Sequence, residues 1–312
     1  MDFIANPFPT FLTLWKYAEM ATLVLDLGGT HLRVGHLGSS AGEFAVYQTE
    51  TLRQGEPVQV LTETIRDYAK ARQLTPSSVI IGVPFTPDKD LQTALSSPNI
   101  PNLEGVPLVA SLGEALGCGV TLERDINLLL LGEAREGAAR GYRDVFGMFV
   151  GTGVGACMLM DGLPYRGATG AAIELGHIPI RGEGRRCVCG NLDCLEAYAC
   201  GHTLRALAAE HKLELSSLFL EGAENPIVAK ALNEFVRDLA FALATGVNLF
   251  HPDIAVVGGG VPAMAGFPKE RFEATFRAHL RRPVPATSVH FAWASLESEA
   301  ALYGAQTLLE RP

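Results

Sequence analysis

Between Glu174 and Glu196 the chain reads ELGHIPIRGEGRRCVCGNLDCLE, and within it His177, Cys187, Cys189 and Cys194 bring together an imidazole and three thiols. Thiolate sulfur and imidazole nitrogen are the ligands that zinc takes, and four of them make the closed tetrahedral set of a structural Zn²⁺ site. Chance is a poor explanation for three cysteines inside eight residues of a chain that holds six. Two other readings compete. Inert buried cysteines with a core histidine would leave the clustering unexplained. A disulfide is disfavoured because Cys187 and Cys189 are too close to pair without strain. The segment is therefore expected to hold zinc.

Two glycine turns supply a second kind of chemistry. Gly28-Gly29-Thr30 and Gly151-Thr152-Gly153 each place small residues between two apolar runs. Glycine lets backbone N–H groups come close to an anion, and the threonine hydroxyl adds a donor. Either turn alone could be an ordinary hairpin. Neither has the Gly-Lys-Ser/Thr of a Walker A loop, and neither leads into a helix as a dinucleotide fingerprint does. With Gly258–Gly260 following a third apolar run, the three are expected to form a phosphate cradle split between two lobes. Asp26 precedes the first turn, where a carboxylate can hold Mg²⁺ near bound phosphates or simply accept turn N–H groups. Asp125 ends another strand and is the candidate proton acceptor, which phosphoryl transfer to a hydroxyl requires. It could instead cap the helix that follows.

These groups need elements to hold them. The run 22–27 (TLVLDL) reads as a buried strand, followed by alternating residues through Val34 and then Phe44 and Val46, a β-meander. Val58, Leu61, Ile65, Tyr68 and Ala69 recur at helical spacing over Pro57–Ala71. Strands are expected over Ser78–Val83 and Val120–Glu123, loop over 96–107, and helix from Asn127 onward. A second hairpin spans Val145–Val150 and Ala156–Met160. Helices over Leu204–Ala209 and Pro226–Asn248, strands over Ile254–Val257 and Val289–Ala292, and a closing helix from about Ser298 complete the chain. The two halves open alike, with DLGGTHLR and FVGTGVGA, so a duplicated α/β domain with a cleft between the copies is expected.

Composition sets the outer limits. At 312 residues, 48% hydrophobic and 19% charged, the chain reads as soluble and globular. A net charge of −9 gives no electrostatic footing for nucleic acid. No run is long enough to span a bilayer, and residues 1–20 match neither a signal peptide nor a membrane helix. A cytoplasmic location is expected, with Cys118, Cys157 and Cys200 as buried reduced thiols. Met20, just before the first strand, is a plausible natural start, leaving 1–20 as an extension.

Taken together, DLGGTHLR, SPNIPN, RDIN, GTGVG, ELGHIPI, CVCGNLDCLE and VVGGGV resemble the ROK sugar kinases, in that family's order and from about residue 21 onward. The resemblance implies a two-domain actin-like ATPase (ribonuclease H-like) fold with an inter-domain cleft. The small domain would span 21–125 plus the closing helix at about 298–312, and the large domain 126–297 with the zinc loop. It implies ATP and Mg²⁺ in the cleft, structural Zn²⁺ on His177, Cys187, Cys189 and Cys194, and phosphorylation of a hexose, usually at C6. Asp125 would be the catalytic base. Asn102, Glu174, His177 and Glu196 match sugar-binding positions, and Asp26, Gly28, Gly29, Thr30, Gly151, Thr152, Gly153, Gly259 and Gly260 match the phosphate and nucleotide side. A homodimer is implied as well.

Two positions depart from the family pattern. Arg124 stands where most members have asparagine, and Asp193 where glycine is usual. Arginine is longer, charged and donor-only, so Arg124 is expected to read a ring hydroxyl differently, or else to turn away and pair with a surface acid. Asp193 is expected to be tolerated loop variation. Within the family the chain is most similar to the D-allose kinase branch, through SPNIP, Arg124-Asp125-x-Asn127-Leu128, GHIPI, NLF-x-PD (Asn248 to Asp253) and LRRP (280–283). Glucokinase, mannokinase or fructokinase activity is the alternative. A sugar-responsive repressor is a distant one, because such proteins carry a helix-turn-helix domain that about twenty residues cannot build.

Overall fold

The computed structural model describes residues 19–39, 43–97, 99–296 and 299–310. Of the expected extension 1–20, residues 1–18 lie outside the described residues, as does a helix start at Ser298; Met20 is not ahead of the first strand but inside it, paired with Thr75. In chain order, the first half runs β1 (Glu19–Leu27), β2 (His31–His36), β3 (Ala45–Gln48), α1 (Glu50–Gln54), α2 (Pro57–Ala71) and β4 (Leu74–Val83). A small ribbon, β5 (Thr86–Pro87) and β6 (Ala94–Ser96), precedes α3 (Leu108–Leu116), β7 (Gly119–Arg124) and α4 (Asp125–Glu136). The second half has β8 (Val145–Val150), β9 (Val154–Met160), β10 (Leu163–Pro164), α5 (Gly201–His211), α6 (Leu218–Glu221) and α7 (Pro226–Phe250). It closes with β11 (Ile254–Gly258), α8 (Lys269–Ala278), β12 (His290–Trp293) and α9 (Ala300–Leu309).

The internal repetition is topological. One five-stranded sheet has the order β3-β2-β1-β4-β7 and the other β10-β9-β8-β11-β12. In each, the opening antiparallel meander is followed by strands that add in parallel. Parallel strands covered on both faces read as unbroken apolar runs, which is what TLVLDL and Ile254–Val257 are. Leu23, Leu25 and Leu27 point to a core shared with Leu61 and Ile65 of α2 and Leu108 and Leu112 of α3. Val24 and Ile80 point the other way, to Leu128 of α4 and Leu302 and Ala305 of α9. In the second sheet Phe146, Met148 and Val150 meet Phe235, Leu239 and Leu243 of α7, while Val145 and Phe149 meet Ile126 and Leu130 of α4.

Helix α4 thus packs on both sheets, Leu128 on the first and Ile126 with Leu130 on the second. Its crossing with α9 is tight because two glycines omit side chains. A Cβ on Gly132 would lie 2.0 Å from the Ala300 carbonyl oxygen, and one on Gly304 2.0 Å from that of Leu128. Glu133, fully buried at the far end of α4, accepts from the Ser295 and Leu296 amides and holds the link between β12 and α9. Of the helices with no counterpart among the expected elements (α1, α3, α6 and α8), the two longest are α3 and α8. Each buries little of its own surface: Phe272 and Phe276 alone on α8, Leu108 and Leu112 alone on α3. Within the expected loop 96–107, residues Pro101–Leu103 form a single 3₁₀ turn. Among the described residues no helix is long and apolar enough to cross a membrane.

Candidate active site

The two glycine turns, one from each sheet, face each other. Thr30 Oγ1 and Thr152 Oγ1 lie 3.4 Å apart. The third glycine segment leaves the end of β11 beside the end of β8, where the Val261 amide donates to the Val150 carbonyl at 3.0 Å. Gly259 there has φ +98°, and a Cβ would fall 2.4 Å from that same carbonyl, so only glycine lets the chain pass.

Asp125 is the first residue of α4, delivered by the end of β7. Its Oδ1 accepts from the Ile126 amide at 2.7 Å, a bond made from inside the first turn, since Arg124 holds the N-cap position. Its Oδ2 has no hydrogen-bond partner among the described residues and is left for a reacting group. Burial pushes its pKa up to about 7, and the negative charges of Asp26 and Glu174 push the same way, against the Ile126 amide and Arg124. A carboxylate poised near neutrality matches the requirement for a proton acceptor at physiological pH. Asp26 closes β1, with Oδ2 bound by Arg33 at 3.1 Å. Burial raises its pKa too, with Arg33 opposing. Its other oxygen is open to an Mg²⁺ ion or a water of that ion.

On the other wall, Glu196 Oε2 accepts from the Val154 amide at 2.8 Å. A Cβ on Gly153 would meet that carboxylate at 2.2 Å, so this glycine of the second turn makes room for an acid from the cysteine segment. Glu174 is half-exposed. Its Oε1 accepts from Arg124 at 2.7 Å, and its Oε2 lies 3.9 Å from His177 Nε2. A hydroxyl oxygen about 2.8 Å from each of those last two atoms fits between them.

The opposite ring nitrogen of His177, Nδ1, lies 3.7 Å from Cys187 Sγ, and Cys189 Sγ lies 3.7 Å from Cys194 Sγ. All four ligand atoms fall within 4.8 Å of one another. Tetrahedral arms of about 2.0–2.3 Å put zinc ligands roughly 3.6–3.8 Å apart, so the donor set and its spacing both fit the ion. Burial, then the neighbouring sulfurs of Cys189 and Cys187, push the Cys194 thiol up to about 12. A dication would offset that repulsion and let the thiolates form.

Asp193 does more than vary the loop. It adopts φ +61°, the left-handed region that favours glycine. In exchange its carboxylate accepts from the Gly184 and Arg185 amides, each at 3.0 Å, and from the Tyr198 hydroxyl. Arg181 and Arg185 stack on the Tyr198 ring, and Arg181 pairs with buried Asp238 of α7.

Two expected contacts are placed differently. Arg124 neither points free into the cleft nor finds a surface acid. Its guanidinium is bound by the Ala172 carbonyl and by Glu174, itself a candidate sugar ligand. The strand behind it leaves no slack, since Glu123, with its side chain 1% exposed, is taken up by Arg166, Asn127 and the Arg124 amide. Asn102 spends its amide nitrogen on the Leu52 and Gly55 carbonyls, at 2.6 and 2.8 Å. The asparagine of that loop beside the glycine turn is Asn99, whose side chain would lie 3.8 Å from a Cβ on Gly29.

Known proteins resemble this chain in sequence and fold. The sequence profile of the ROK family matches residues 22–311. The chain belongs to the ROK family. A glucokinase of Thermotoga maritima is 31% identical over 264 residues, 78% of this chain and 83% of that protein. The crystal structure of a ROK hexokinase from Thermus thermophilus superposes with a TM-score of 0.74 at 29% identity, covering 92% of this chain and 96% of the other. A ROK glucokinase from Streptomyces griseus in complex with glucose and AMPPNP gives a TM-score of 0.76 at 25% identity, covering 92% and 98%. The fold is the two-domain actin-like ATPase fold of these ROK proteins. Sequence reasoning about this ROK chain missed Asn99, Glu123, Arg166 and the brace at Asp193. Of these only Asn99 carried a signal, as the first of the two asparagines in SPNIPN, three residues before Asn102.

Proposed function

We propose that this chain transfers the γ-phosphoryl group of ATP to the C6 hydroxyl of a hexose, and that D-allose is the hexose it takes best. Its class, an ATP-dependent hexose kinase, follows from membership of the ROK family and the cleft it builds. The observation that carries the reading is Asp125: a carboxylate with one free oxygen at the start of α4, pushed up to about 7 by burial and by Asp26, which stands just before the first glycine turn. In the reaction Asp125 takes the proton of the hydroxyl as its oxygen bonds to the γ-phosphorus. The bond from that phosphorus to the β,γ-bridging oxygen breaks, and ADP leaves. The chain itself supplies position and charge, which is most of what phosphoryl transfer asks of a protein. The Gly28–Thr30 and Gly151–Gly153 turns donate N–H and hydroxyl groups to phosphate oxygens, and Gly259–Gly260 line the nucleotide side. Mg²⁺, held near Asp26, neutralises phosphate charge when bound.

Glu196 and Glu174 each keep one oxygen for sugar hydroxyls, and His177 Nε2 donates beside Glu174. Asn99 replaces Asn102 as the asparagine we place at the sugar. Zn²⁺ on His177, Cys187, Cys189 and Cys194 holds that wall in shape when bound. Arg124 carries the allose preference. Pinned on Glu174, it presents N–H donors where most relatives have an asparagine amide that both donates and accepts. We take 21–125 with α9 as the small domain, 126–297 as the large one, the cytoplasm as the location, and a homodimer as the assembly, the last checked by light scattering. Relatives named glucokinase favour glucose as the second reading. A coupled ADP-release assay over D-allose, D-glucose, D-mannose and D-fructose decides. D-allose should give the highest kcat/KM, and a large advantage for glucose would overturn the assignment.

A further inference from the structure

The short helix α1 belongs to none of the site's sequence motifs, yet it and its N-cap Thr49 hold the first glycine turn by three consecutive carbonyls. Thr49, fully buried just before α1, donates its hydroxyl to the Gly28 carbonyl at 2.8 Å and its amide to the Thr30 carbonyl at 3.0 Å. Arg53 NH2 donates to the carbonyl between them, that of Gly29, at 2.5 Å. In a trans peptide the carbonyl and the following N–H point to opposite sides. Holding the Gly28 and Gly29 carbonyls against α1 therefore turns the Gly29 and Thr30 N–H groups away from it, as an anion-binding turn needs.

The same guanidinium reaches the other loop. Arg53 Nε donates to the Asn99 carbonyl at 2.7 Å, while NH1 rests on Glu50 at 2.8 Å. Asn102 answers from that loop by binding the Leu52 and Gly55 carbonyls. Leu52 anchors the helix in the core of the first sheet. Arginine's planar fork suits this task, because its donors serve three acceptors at fixed angles.

We propose that Arg53, supported by Thr49, is a positioning residue that couples the two substrate loops. It ties the Gly28–Thr30 turn to the Asn99 loop, so occupancy of one steadies the other. The inference rests on the kinase reading, with the phosphates at the turn and the sugar at the loop. Coupling between two sites is reciprocal and is commonly a factor of about 5–150.

The test is calorimetric titration of the full chain with Mg²⁺–AMPPNP, with and without saturating D-allose, and in parallel D-glucose. In the natural protein, saturating sugar should tighten nucleotide binding by about 5-fold or more. Arg53→Ala should bring that factor close to 1 while each ligand still binds alone. Arg53→Lys, able to reach only one carbonyl at a time, should fall between. Thr49→Val should lower the factor, and Thr49→Ser, which keeps the hydroxyl, should restore it. A merely structural role would lower the melting temperature and leave the factor unchanged. Full coupling in Arg53→Ala, or none in the natural protein, would overturn the inference. Failure of the natural protein to bind either ligand would instead sink the kinase reading.

Discussion

Asp125→Asn should make a slower and more stable protein. Asparagine keeps the acceptor for the Ile126 amide and the shape of the side chain but removes the charge. As a base it is useless, so kcat should fall by about 10²–10⁴-fold, the usual contribution of general base catalysis. Stability should move the other way. The carboxyl moves from an ordinary 3.8 to about 7, so its ionised form is disfavoured in the fold. Three pK units correspond to a ceiling of roughly 4 kcal/mol, at about 1.4 kcal/mol each. Water entering the cleft screens part of this, and about 1–2 kcal/mol is the expected gain on neutralisation. At about 2.1 cal/mol/K of unfolding entropy per residue, that raises the melting temperature by about 1.5–3 °C.

The sign carries a pH signature. A carboxyl whose pKa is raised on folding binds its proton more tightly when folded, so its ionisation lowers stability as pH climbs from about 4 to about 7. The advantage of Asp125→Asn should be absent near pH 4, grow through that window and stay level above it. Calorimetric melting of both proteins across pH, alongside turnover at pH 8, measures both halves. An asparagine variant that melts lower at pH 8 would refute the buried-charge argument. One that retains near-normal kcat would refute the catalytic assignment.

Other expectations follow from the same geometry. For the natural protein, kcat/KM should rise about tenfold per pH unit below about 7 and level off above it as Asp125 loses its proton, a profile read in wide-range buffers. Chelation of zinc, or Cys189→Ser, should weaken sugar binding about tenfold or more, the usual effect of disturbing a metal-held ligand. The accompanying loss of melting temperature should be modest, because Asp193, Tyr198 and Arg181 brace the loop independently of metal. Metal content and hexose titration give both numbers. Arg124→Asn should shift the ratio of kcat/KM for glucose over allose by about 10-fold or more toward glucose, within the range a misplaced hydrogen bond produces. An unchanged ratio would remove Arg124 from the specificity argument.

The parts of this protein legible from residues alone are those where one residue type has few alternatives. Cys187, Cys189, Cys194 and His177 announce a cluster of ligand atoms, which the fold brings within 4.8 Å of one another. The glycine turns announce close backbone approach, and TLVLDL announces a strand buried on both faces. Helices α3 and α8 are harder to read because each is short and its two buried residues, four apart, cover barely one turn. The partners of Arg124 were silent for a different reason: Glu174 stands 50 residues away, and nothing in either neighbourhood marks the pairing.

Asp193 and Asn102 show where spacing misleads. At Asp193 an unfavourable backbone angle looked like tolerated variation, because a sequence displays the lost glycine and hides the three hydrogen bonds gained. At Asn102 the side-chain type was right for a sugar, but its amide was already committed to the end of a five-residue helix. Both cases turn on one constraint. A polar group near the cleft serves a ligand only with the atoms the fold has not already engaged, and that depends in part on backbone carbonyls, which every residue carries alike. The same carbonyls, three in a row at Gly28, Gly29 and Thr30, are what give Thr49 and Arg53 their place in the site.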